Sequence, residues 1–401
     1  MTLLHPTRRR LLVVVVTIAA VLGALVVPSP TSASSPAAGP ATAWLAGLVG
    51  PDGSVENPYD PGVPSVSWTV NVALSLATTG TQPEALDAAM GYLEARVDDY
   101  AVVGGVDNPG RLGYLTMLAV ATERDPRAFG SPGTDLVGRT LATYEVSETG
   151  LFGVPDSYSS ATLQSLAVLG LVAAGETVPA GSLGWLADQQ CGAGEGPAET
   201  LGGWQGYRAP EGAGLADCVV VGDPEYLSPD SNNTSFAVQA LAATDALGLL
   251  DTDPGTFFSQ LQEDDGTHRG GFAFDLLSFG ADPNSTAVVL QALVALGEPL
   301  GEWAVGGQDP LVSLETWVIA SGADAGALSS PFSDGFADVF ATYQGVWGLA
   351  LAPFPLPVPP PPPASTTTTT STTSTTTEVA PASTAPTPSG PGVVVTPRFT
   401  G

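Results

Sequence analysis

The stretch Ser285–Leu293, Ser-Thr-Ala-Val-Val-Leu-Gln-Ala-Leu, decides the fold because variants of it recur along the chain. Thr234–Leu241 reads Thr-Ser-Phe-Ala-Val-Gln-Ala-Leu, and Ser160–Leu166 reads Ser-Ala-Thr-Leu-Gln-Ser-Leu. A looser copy begins at Ala341, and two more fit by spacing only. Across the six copies, the glutamine position falls at Asn71, Leu115, Gln164, Gln239, Gln291 and Gln344. A period of about fifty residues predicts a repeat protein, in which one unit cannot bury its apolar face alone.

Each repeat is expected to contain two helices joined by a polar, glycine-rich loop. In the fifth repeat the second helix is expected to begin with Asn284 or Ser285 as its N-cap and to end at Gly297. The second helices are apolar nearly all round, as buried helices are, whereas the first helices carry the charges. The predicted first helices lie near 41–49, 83–97, 133–146, 180–190, 255–262 and 309–321. The predicted second helices lie near 65–79, 111–123, 159–174, 231–248, 284–297 and 337–351.

This asymmetry predicts two concentric layers, with buried helices inside and amphipathic helices outside. Six helical hairpins can close into a ring, which leaves no unstacked end, whereas an open solenoid would need polar caps that the repeat region lacks. The sequence therefore predicts an all-α fold, an α6–α6 toroid over residues 41–352, followed by a disordered C-terminal tail.

The two ends of the chain indicate export. Met1–Ala33 has a basic start, an apolar run over Leu11–Val27 and small residues at its end, which predicts a cleaved signal peptide. The alternative is an uncleaved membrane anchor, but a span needs about 17–25 apolar residues, and this run is at the short limit. Residues 353–401 are rich in proline and threonine and are expected to form an extracellular spacer. An association of this tail with the cell wall stays open, although covalent anchoring is not expected.

The charge balance excludes several classes of partner. Eleven basic residues, all of them arginine, face 40 acidic residues, and the formal net charge is −29. Such a surface repels nucleic acid and anionic lipid, so neither is an expected partner. A secreted or cell-surface monomer is predicted.

Both cysteines, Cys191 and Cys218, lie in the longest interval between repeats. An even number of cysteines in an exported chain favours a disulfide bond, which would pin an insertion at 191–229 to the fourth repeat. A zinc site would need more ligands than two cysteines and one distant histidine supply. No metal and no cofactor are therefore expected.

Several motifs resemble the prenyltransferase and squalene-cyclase repeat. Trp185-Leu186-Ala187-Asp188-Gln189-Gln190, followed by Gly194, resembles the end of that repeat's outer helix. Gln262 and Gly266 reproduce its Gln-x-x-x-Gly spacing, and the inner Thr-Ala-x-x-Leu-Gln-Ala-Leu pattern is also similar. The resemblance, to a secreted bacterial member of this family, covers roughly residues 41–352. It implies a terpenoid-cyclase-like α/α toroid, which also occurs in protein prenyltransferases, thioester domains, cobalamin carriers and some polysaccharide lyases.

The catalytic motifs of these proteins are not found in the sequence. The Asp-x-Asp-Asp of squalene cyclases is missing, and Asp98-Asp99 and Glu263-Asp264-Asp265 fall in predicted exposed turns. Asp217 directly precedes Cys218, without the intervening residue of the prenyltransferase zinc site. The sequence after Cys191 departs from the thioester motif Cys-Gly-Glu-Gln. No catalytic residue is therefore predicted.

Binding is the function that remains. In a closed toroid, the loops that enter the inner helices gather around the mouth of the central cavity, and loops on a rigid scaffold often carry binding groups. We expect this loop face, or the cavity, to bind a neutral small molecule or glycan without catalysis. The candidate ligand-binding residues are Asp156, Tyr158, Trp204, Tyr207, Asp230, Asn233, His268, Phe272, Asp282 and Asn284.

Three alternatives stay open. The same aspartates and asparagines could cap helices while the aromatic residues seal the end of the barrel. The repeated glutamines could bridge neighbouring repeats or line the cavity. The competing functional hypothesis is an enzyme of the terpene-cyclase, squalene-cyclase or carbohydrate-lyase type that uses carboxylate acid–base chemistry. Such an enzyme would need a deep cavity with a buried carboxylate of shifted pKa.

Overall fold

The computed structural model describes residues 33–145, 150–153, 160–212, 214–221 and 228–357. The predicted signal peptide up to residue 32 and the predicted tail from residue 358 lie outside these ranges, so both stay predictions. Within the described ranges, no helix combines the length and the apolar character needed to span a bilayer.

Six helices form an inner ring, and each is buried on nearly every side. The inner helices are α2 (Val66–Thr79), α5 (Pro109–Ala121), α7 (Ala161–Ala173), α9 (Ser231–Ala243), α11 (Pro283–Leu296) and α13 (Val339–Leu349). The repeated stretch Ser285–Leu293 lies in α11, where all nine of its residues are buried. A helix with apolar or small residues all round can pack against two inner neighbours and one outer helix at once.

Shorter helices form the outer layer. They are α1 (Ala38–Ala46), α3 (Pro83–Glu94), α6 (Leu136–Ala142), α8 (Ala180–Asp188), α10 (Gly255–Leu261) and α12 (Pro310–Glu315), with one extra turn, α4 (Val97–Ala101). The predicted all-α toroid of two concentric layers is confirmed. Several outer helices end earlier than predicted, because the residues after them pair with the loop that returns to the inner layer.

Short antiparallel strand pairs form the loops that lead from the outer helices back to the inner helices. The hairpins are β1 (Val55–Asn57) with β2 (Asp60–Ser65), β3 (Val102–Val103) with β4 (Val106–Asp107), β5 (Tyr144–Glu145) with β6 (Leu151–Phe152), and β7 (Pro210–Glu211) with β8 (Gly214–Leu215). Isolated bridges join Gln190 to Trp204, Gln262 to Phe272 and Val318 to Leu328 in the last three repeats.

A threonine on the inner helix fixes the returning loop. The N–H of Phe272 donates to Oγ1 of Thr286, 14 residues later, at 2.9 Å. The same bond joins Val55 to Thr69, Leu328 to Thr342 and, across the insertion, Trp204 to Thr234. Each bond satisfies a buried backbone donor between the two layers, which would otherwise cost free energy.

These bonds correct the predicted alignment of the repeats. Each threonine lies four residues after the N-cap residue of its helix, and these N-caps are Ser65, Asp230, Asp282 and Asp338. In this alignment Gln239 and Gln291 are equivalent to Trp347, whereas Gln344 stands three residues earlier in its repeat. Gln239 and Gln291 lie nine residues after their N-caps, whereas Asn71 and Gln344 lie six, Leu115 seven and Gln164 four residues after theirs. The predicted glutamine alignment therefore holds between the fourth and fifth repeats and is wrong for the other four.

The ring closes where the last repeat meets the first. Ser75 Oγ on α2 donates to the carbonyl of Tyr343 on α13 at 2.9 Å. In the outer layer, Trp44 Nε1 donates to Asp324 Oδ1 at 3.3 Å. We call this region the seam.

A disulfide bond joins Cys191 to Cys218, as predicted. Both cysteines are buried, and so is Arg208, whose side chain is 1 % exposed and donates to the carbonyls of Gln190 and Ala216. The insertion is therefore attached to the end of α8 by a covalent bond and by a buried guanidinium.

Candidate functional site

Two aromatic residues predicted on the loop face lie inside the protein instead. Trp204 and Phe272 are both fully buried. Trp204 Nε1 donates to the carbonyl of Leu186 at 2.8 Å, and Phe272 packs edge-on against Phe258 at 6.3 Å between ring centroids. Both stand at the repeat position that bonds to the inner-helix threonine. They seal the gap between the layers, so their rings are not available to a ligand at the rim.

Asp230 is the N-cap residue of α9, and its side chain is almost fully buried. Its two carboxylate oxygens accept from the N–H and from Nδ2 of Asn233, at 2.7 and 2.6 Å. Burial raises the pKa of Asp230 to about 7, and the nearby Asp275 acts in the same direction. Asn233 Oδ1 also accepts from Thr162 N–H at 3.0 Å, so this pair joins α9 to α7.

Asp282 and Asn284 occupy the same positions in the next repeat. Asp282 caps α11 through the N–H and hydroxyl of Ser285, at 2.8 and 2.7 Å, and burial raises its pKa. Asn284 Nδ2 donates to Gln344 Oε1 at 2.8 Å, which links α11 to α13. These contacts are the capping and bridging roles that the sequence left open as an alternative.

Tyr207 and His268 are more accessible. The ring of Tyr207 stacks on Trp185 at 6.2 Å between centroids. The imidazole of His268 stacks on Trp317 at 3.6 Å, and its Nδ1 lies 2.6 Å from Thr316 Oγ1. Partial burial lowers the pKa of His268. Asp156 and Tyr158, the two other candidates, lie outside the described residues.

Three of the repeated glutamines have buried partners of different kinds. Gln164 accepts from the N–H of Phe152 and donates to the carbonyls of Gly150 and Ser182, which ties α7 to the outer layer. Gln239 and Gln291 instead point into the ring, where both bond to the segment after α13. The prediction of bridging glutamines thus describes Gln164, whereas Gln239 and Gln291 line the axis.

The axis of the ring is filled by aromatic side chains. A continuous column of ring contacts runs from Trp68 through Tyr343 and Trp347 to Phe354, with centroid separations of 5.9, 5.3 and 5.2 Å. Phe354 then contacts Tyr114 and Phe236 on α5 and α9. We call this set the axial column.

The outer end of the axial column is open to solvent on the loop face. Tyr59, in the β1–β2 turn, is 82 % exposed and lies 6.0 Å from Trp68 between centroids. Phe340, 37 % exposed, meets Trp68 edge-on at 6.5 Å. We call Tyr59, Trp68 and Phe340 the aromatic platform.

The platform residues were not among the predicted site residues. Aromatic residues make up only 7 % of the chain, a composition that hides their concentration on the axis. The signal that could have found them is ring closure, because residues near the first and last inner helices become neighbours only when the seam forms.

Two shallow clefts lie away from the axis. One, of about 300 Å³, is lined by residues that include Asp253, Ser259 and Trp303, and the other, of about 180 Å³, is lined by residues that include Leu247 and Pro254. Both are on the outer side of α10. Neither resembles the deep central cavity that the enzyme hypothesis requires.

One acidic turn has the geometry of a cation ligand set. Glu263, Asp264 and Asp265 each place a carboxylate oxygen within 4.8 Å of the others. Glu263 Oε2 already accepts from the N–H of Ala281 at 3.1 Å, and the other two side chains are exposed. Nothing else in this turn points to a bound cation.

A scan against protein-family models finds no match to this chain, and a search of curated proteins finds none either. Solved structures do match. The GH76A α-1,6-mannanase of Salegentibacter sp. HEL1_6, as an inactive variant in complex with α-1,6-mannotriose, is similar at 12 % identity with a TM-score of 0.51. The match covers 79 % of this chain and 97 % of the mannanase.

Two further solved structures match over most of the chain. A UGL variant with dGlcA-Glc-Rha-Glc is similar at 13 % identity with a TM-score of 0.54, covering 78 % of this chain and 94 % of that one. The type II terpene cyclase MstE from Scytonema matches at 14 % identity with a TM-score of 0.46, covering 78 % and 96 %. At such low identity the likeness concerns the fold alone, and the mannanase and the UGL variant support the α6–α6 toroid fold for this chain.

Proposed function

We propose that the protein is exported and binds a neutral oligosaccharide at the aromatic platform of Tyr59, Trp68 and Phe340. The exposure of these rings on the loop face carries the proposal. Apolar side chains that gather at one exposed place on a soluble domain mark an interaction site more often than scattered ones do. The rest of the axial column holds the platform rings in place from below.

The chemistry of the platform suits a sugar. The C–H groups on one face of a pyranose ring pack against an aromatic face, and its hydroxyl groups hydrogen-bond to carboxylates and amides. Asp60 follows Tyr59 directly, and Asp334 lies in the loop that enters α13; both are exposed. The net charge of −29 favours a neutral glycan over an anionic one.

The solved structures support a glycan ligand. The mannanase was solved with neutral α-1,6-mannotriose, whereas the UGL variant was solved with dGlcA-Glc-Rha-Glc, which carries a uronic acid. Because the mannanase is an enzyme, the comparison also supports the second candidate function given below. Their fold offers a rigid scaffold whose loops can carry different sites, so the class of ligand is a proposal for this chain and its identity is left to the experiment.

The test is binding of the mature protein to a panel of neutral oligosaccharides that includes α-1,6-mannotriose, followed by titration calorimetry. Tyr59→Ala and Phe340→Ala should each weaken binding about tenfold, the loss of about 1.4 kcal/mol expected for an aromatic contact residue. Phe279→Ala is the matched control, because Phe279 is fully exposed in a loop of the fifth repeat. A panel without a binder, or equal affinities for all variants, would refute the proposal.

A second candidate function is cleavage of the glycan with Asp230 as proton donor. A carboxyl group whose pKa is raised to about 7 can hold a proton at neutral pH, as a general acid must. Ser231 Oγ, Asn232 Oδ1 and Ser235 Oγ lie around the start of α9, are buried and have no hydrogen-bond partner among the described residues. Against catalysis, both oxygens of Asp230 are already bonded to Asn233, and its side chain is 1 % exposed.

Mass spectrometry of the bound oligosaccharide after long incubation decides between these functions. Binding without cleavage supports recognition alone. Cleavage that Asp230→Asn abolishes, while binding persists, would make the protein a carbohydrate-active enzyme. Export is tested separately: N-terminal sequencing should find a start after Ala33, and a secreted protein that begins at Met1 would contradict the proposed signal peptide.

A further inference from the structure

The segment that follows α13 turns back into the ring and fills its axis. Phe354 and Leu356 are 2 and 5 % exposed, although they belong to a proline-rich stretch that was expected to lie outside the domain. The segment enters from the end where the inner helices finish, opposite the loop face. We call residues 352–357, Ala-Pro-Phe-Pro-Leu-Pro, the axial segment.

The ring holds the Phe354 side chain with three aromatic residues from three inner helices. Phe236 on α9 stacks on it at 6.3 Å with 9° between the planes, and Trp347 on α13 meets it at 5.2 Å. Tyr114 on α5 contacts it edge-on at 6.2 Å. These rings make an aromatic-lined pocket of the kind that docks proline-flanked apolar residues.

Two glutamines hold the backbone of the same segment. Gln239 Oε1 accepts from the N–H of Phe354 at 2.8 Å, and Gln291 Nε2 donates to the carbonyl of Ala352 at 2.6 Å. Both glutamine side chains are fully buried. One acceptor and one donor, bonded to residues two apart in the segment, recognise a peptide backbone and not merely an apolar side chain.

The pocket has further polar groups that the axial segment does not use. Gln291 Oε1 and Trp347 Nε1 are buried without a hydrogen-bond partner among the described residues. Unpaired buried polar atoms are rare in folded proteins and often belong to functional sites. An occupant with more polar groups than the axial segment could satisfy both atoms.

We infer that the toroid axis is a binding site for proline-flanked aromatic peptides and that the axial segment is its resident, intramolecular occupant. The covalent connection to α13 gives the axial segment an effective concentration in the millimolar range, so a free peptide at micromolar concentration does not displace it. A ligand that needs the axis must first expel the axial segment. The site is independent of the sugar platform, since it lies at the other end of the axial column.

The test uses the full chain with Phe354→Ala and a fluorescein-labelled peptide of sequence Ala-Pro-Phe-Pro-Leu-Pro, measured by fluorescence anisotropy. The variant should bind the peptide saturably, while the natural protein should bind it at least tenfold more weakly because its pocket is occupied. A peptide in which alanine replaces phenylalanine should not bind. Phe279→Ala, which changes a fully exposed ring in the loop before α11, should behave like the natural protein.

Hydrogen exchange of the natural protein gives a second measurement that does not depend on the folding of a variant. The amide of Phe354 should exchange at least a hundredfold more slowly than an unprotected amide, and Gln239→Met should remove most of this protection. A folded Phe354→Ala protein that binds no peptide, or a Phe354 amide that exchanges as fast as a free one, would overturn the inference.

Discussion

Asp230 illustrates how one buried side chain can set a property of the whole protein. Its carboxylate caps α9 and lies next to Asn233, which bridges to α7. Hydrogen bonds from Asn233 favour the charged form, but burial disfavours it more strongly, so the pKa is raised to about 7. Because the capping carboxylate of Asp230 is buried away from water, the free energy of unfolding should depend on its protonation and therefore on pH.

The first prediction concerns this pH dependence. Because the pKa of Asp230 is higher in the folded state than its ordinary value of about 4, its protonation favours folding. The stabilisation that this protonation provides is fully present below about pH 4 and is lost as the pH rises through 7. The free energy of unfolding should fall by about 4 kcal/mol at most over this range. Asparagine does not titrate, so the free energy of unfolding of Asp230→Asn should not fall in this way between pH 4 and 7. Urea unfolding at several pH values measures it, and equal slopes in both proteins would contradict the prediction.

At the level of helices, α5 and α7 pack closely through glycines. A Cβ atom at Gly113 would overlap the backbone carbonyl of Leu166, and one at Gly170 would lie 2.6 Å from the Cα of Gly113. Ridges of larger side chains would hold these helices further apart, as most helix pairs are. The two glycines therefore fix the spacing of one part of the inner ring.

The second prediction compares two glycines in helices. Gly113→Ala should destabilise the protein by about 1–3 kcal/mol or more, because the added methyl group forces α5 and α7 apart. Gly91 in α3 has no atom within 4 Å of its hypothetical Cβ. Gly91→Ala should therefore stabilise by about 0.4–1 kcal/mol through helix propensity and the unfolded state. Chemical denaturation measures both, and two changes of the same sign would refute the explanation.

The positions of the helices were predictable from the sequence to within a few residues, but the residues that fill the space between the two layers were not. The hydrophobic period marks where the inner helices lie, but the predicted N-cap of α11 was wrong: Asp282 caps the helix, two or three residues before the expected Asn284 or Ser285. The burial of individual side chains was not predictable in this way, since Trp204 and Phe272 lie in loops and are still fully buried. A loop position says little about burial when the loop folds back between two layers.

At the level of the whole molecule, closure decides which residues meet. The platform brings Phe340 to Trp68, and the axial segment brings Phe354 to Tyr114, across most of the chain length. Single-sequence patterns report on neighbours within one repeat, so they predicted the toroid without predicting these contacts. The same argument explains why the proline-rich start of the tail was assigned to the spacer: its partners are four different inner helices.

The last prediction tests the seam that closes the ring. A Cβ atom at Gly326 would lie 2.8 Å from the carbonyl carbon and oxygen of Pro40, at the start of α1, whereas one at Gly322 would meet nothing within 4 Å. Both glycines have almost the same φ, +96° and +97°, so alanine brings the same backbone strain at either position.

The difference between the two variants therefore isolates the contact between the last repeat and the first. Gly326→Ala should lower the free energy of unfolding by about 1–3 kcal/mol more than Gly322→Ala, the usual cost of overpacking. It should also separate two probes that coincide in the natural protein: with rising denaturant, the Trp44 indole N–H, which bonds to Asp324 across the seam, should lose its protection from hydrogen exchange before the far-ultraviolet circular dichroism changes. In an open solenoid the ends do not touch, so equal stabilities and coincident transitions for both variants would argue against a closed ring in solution.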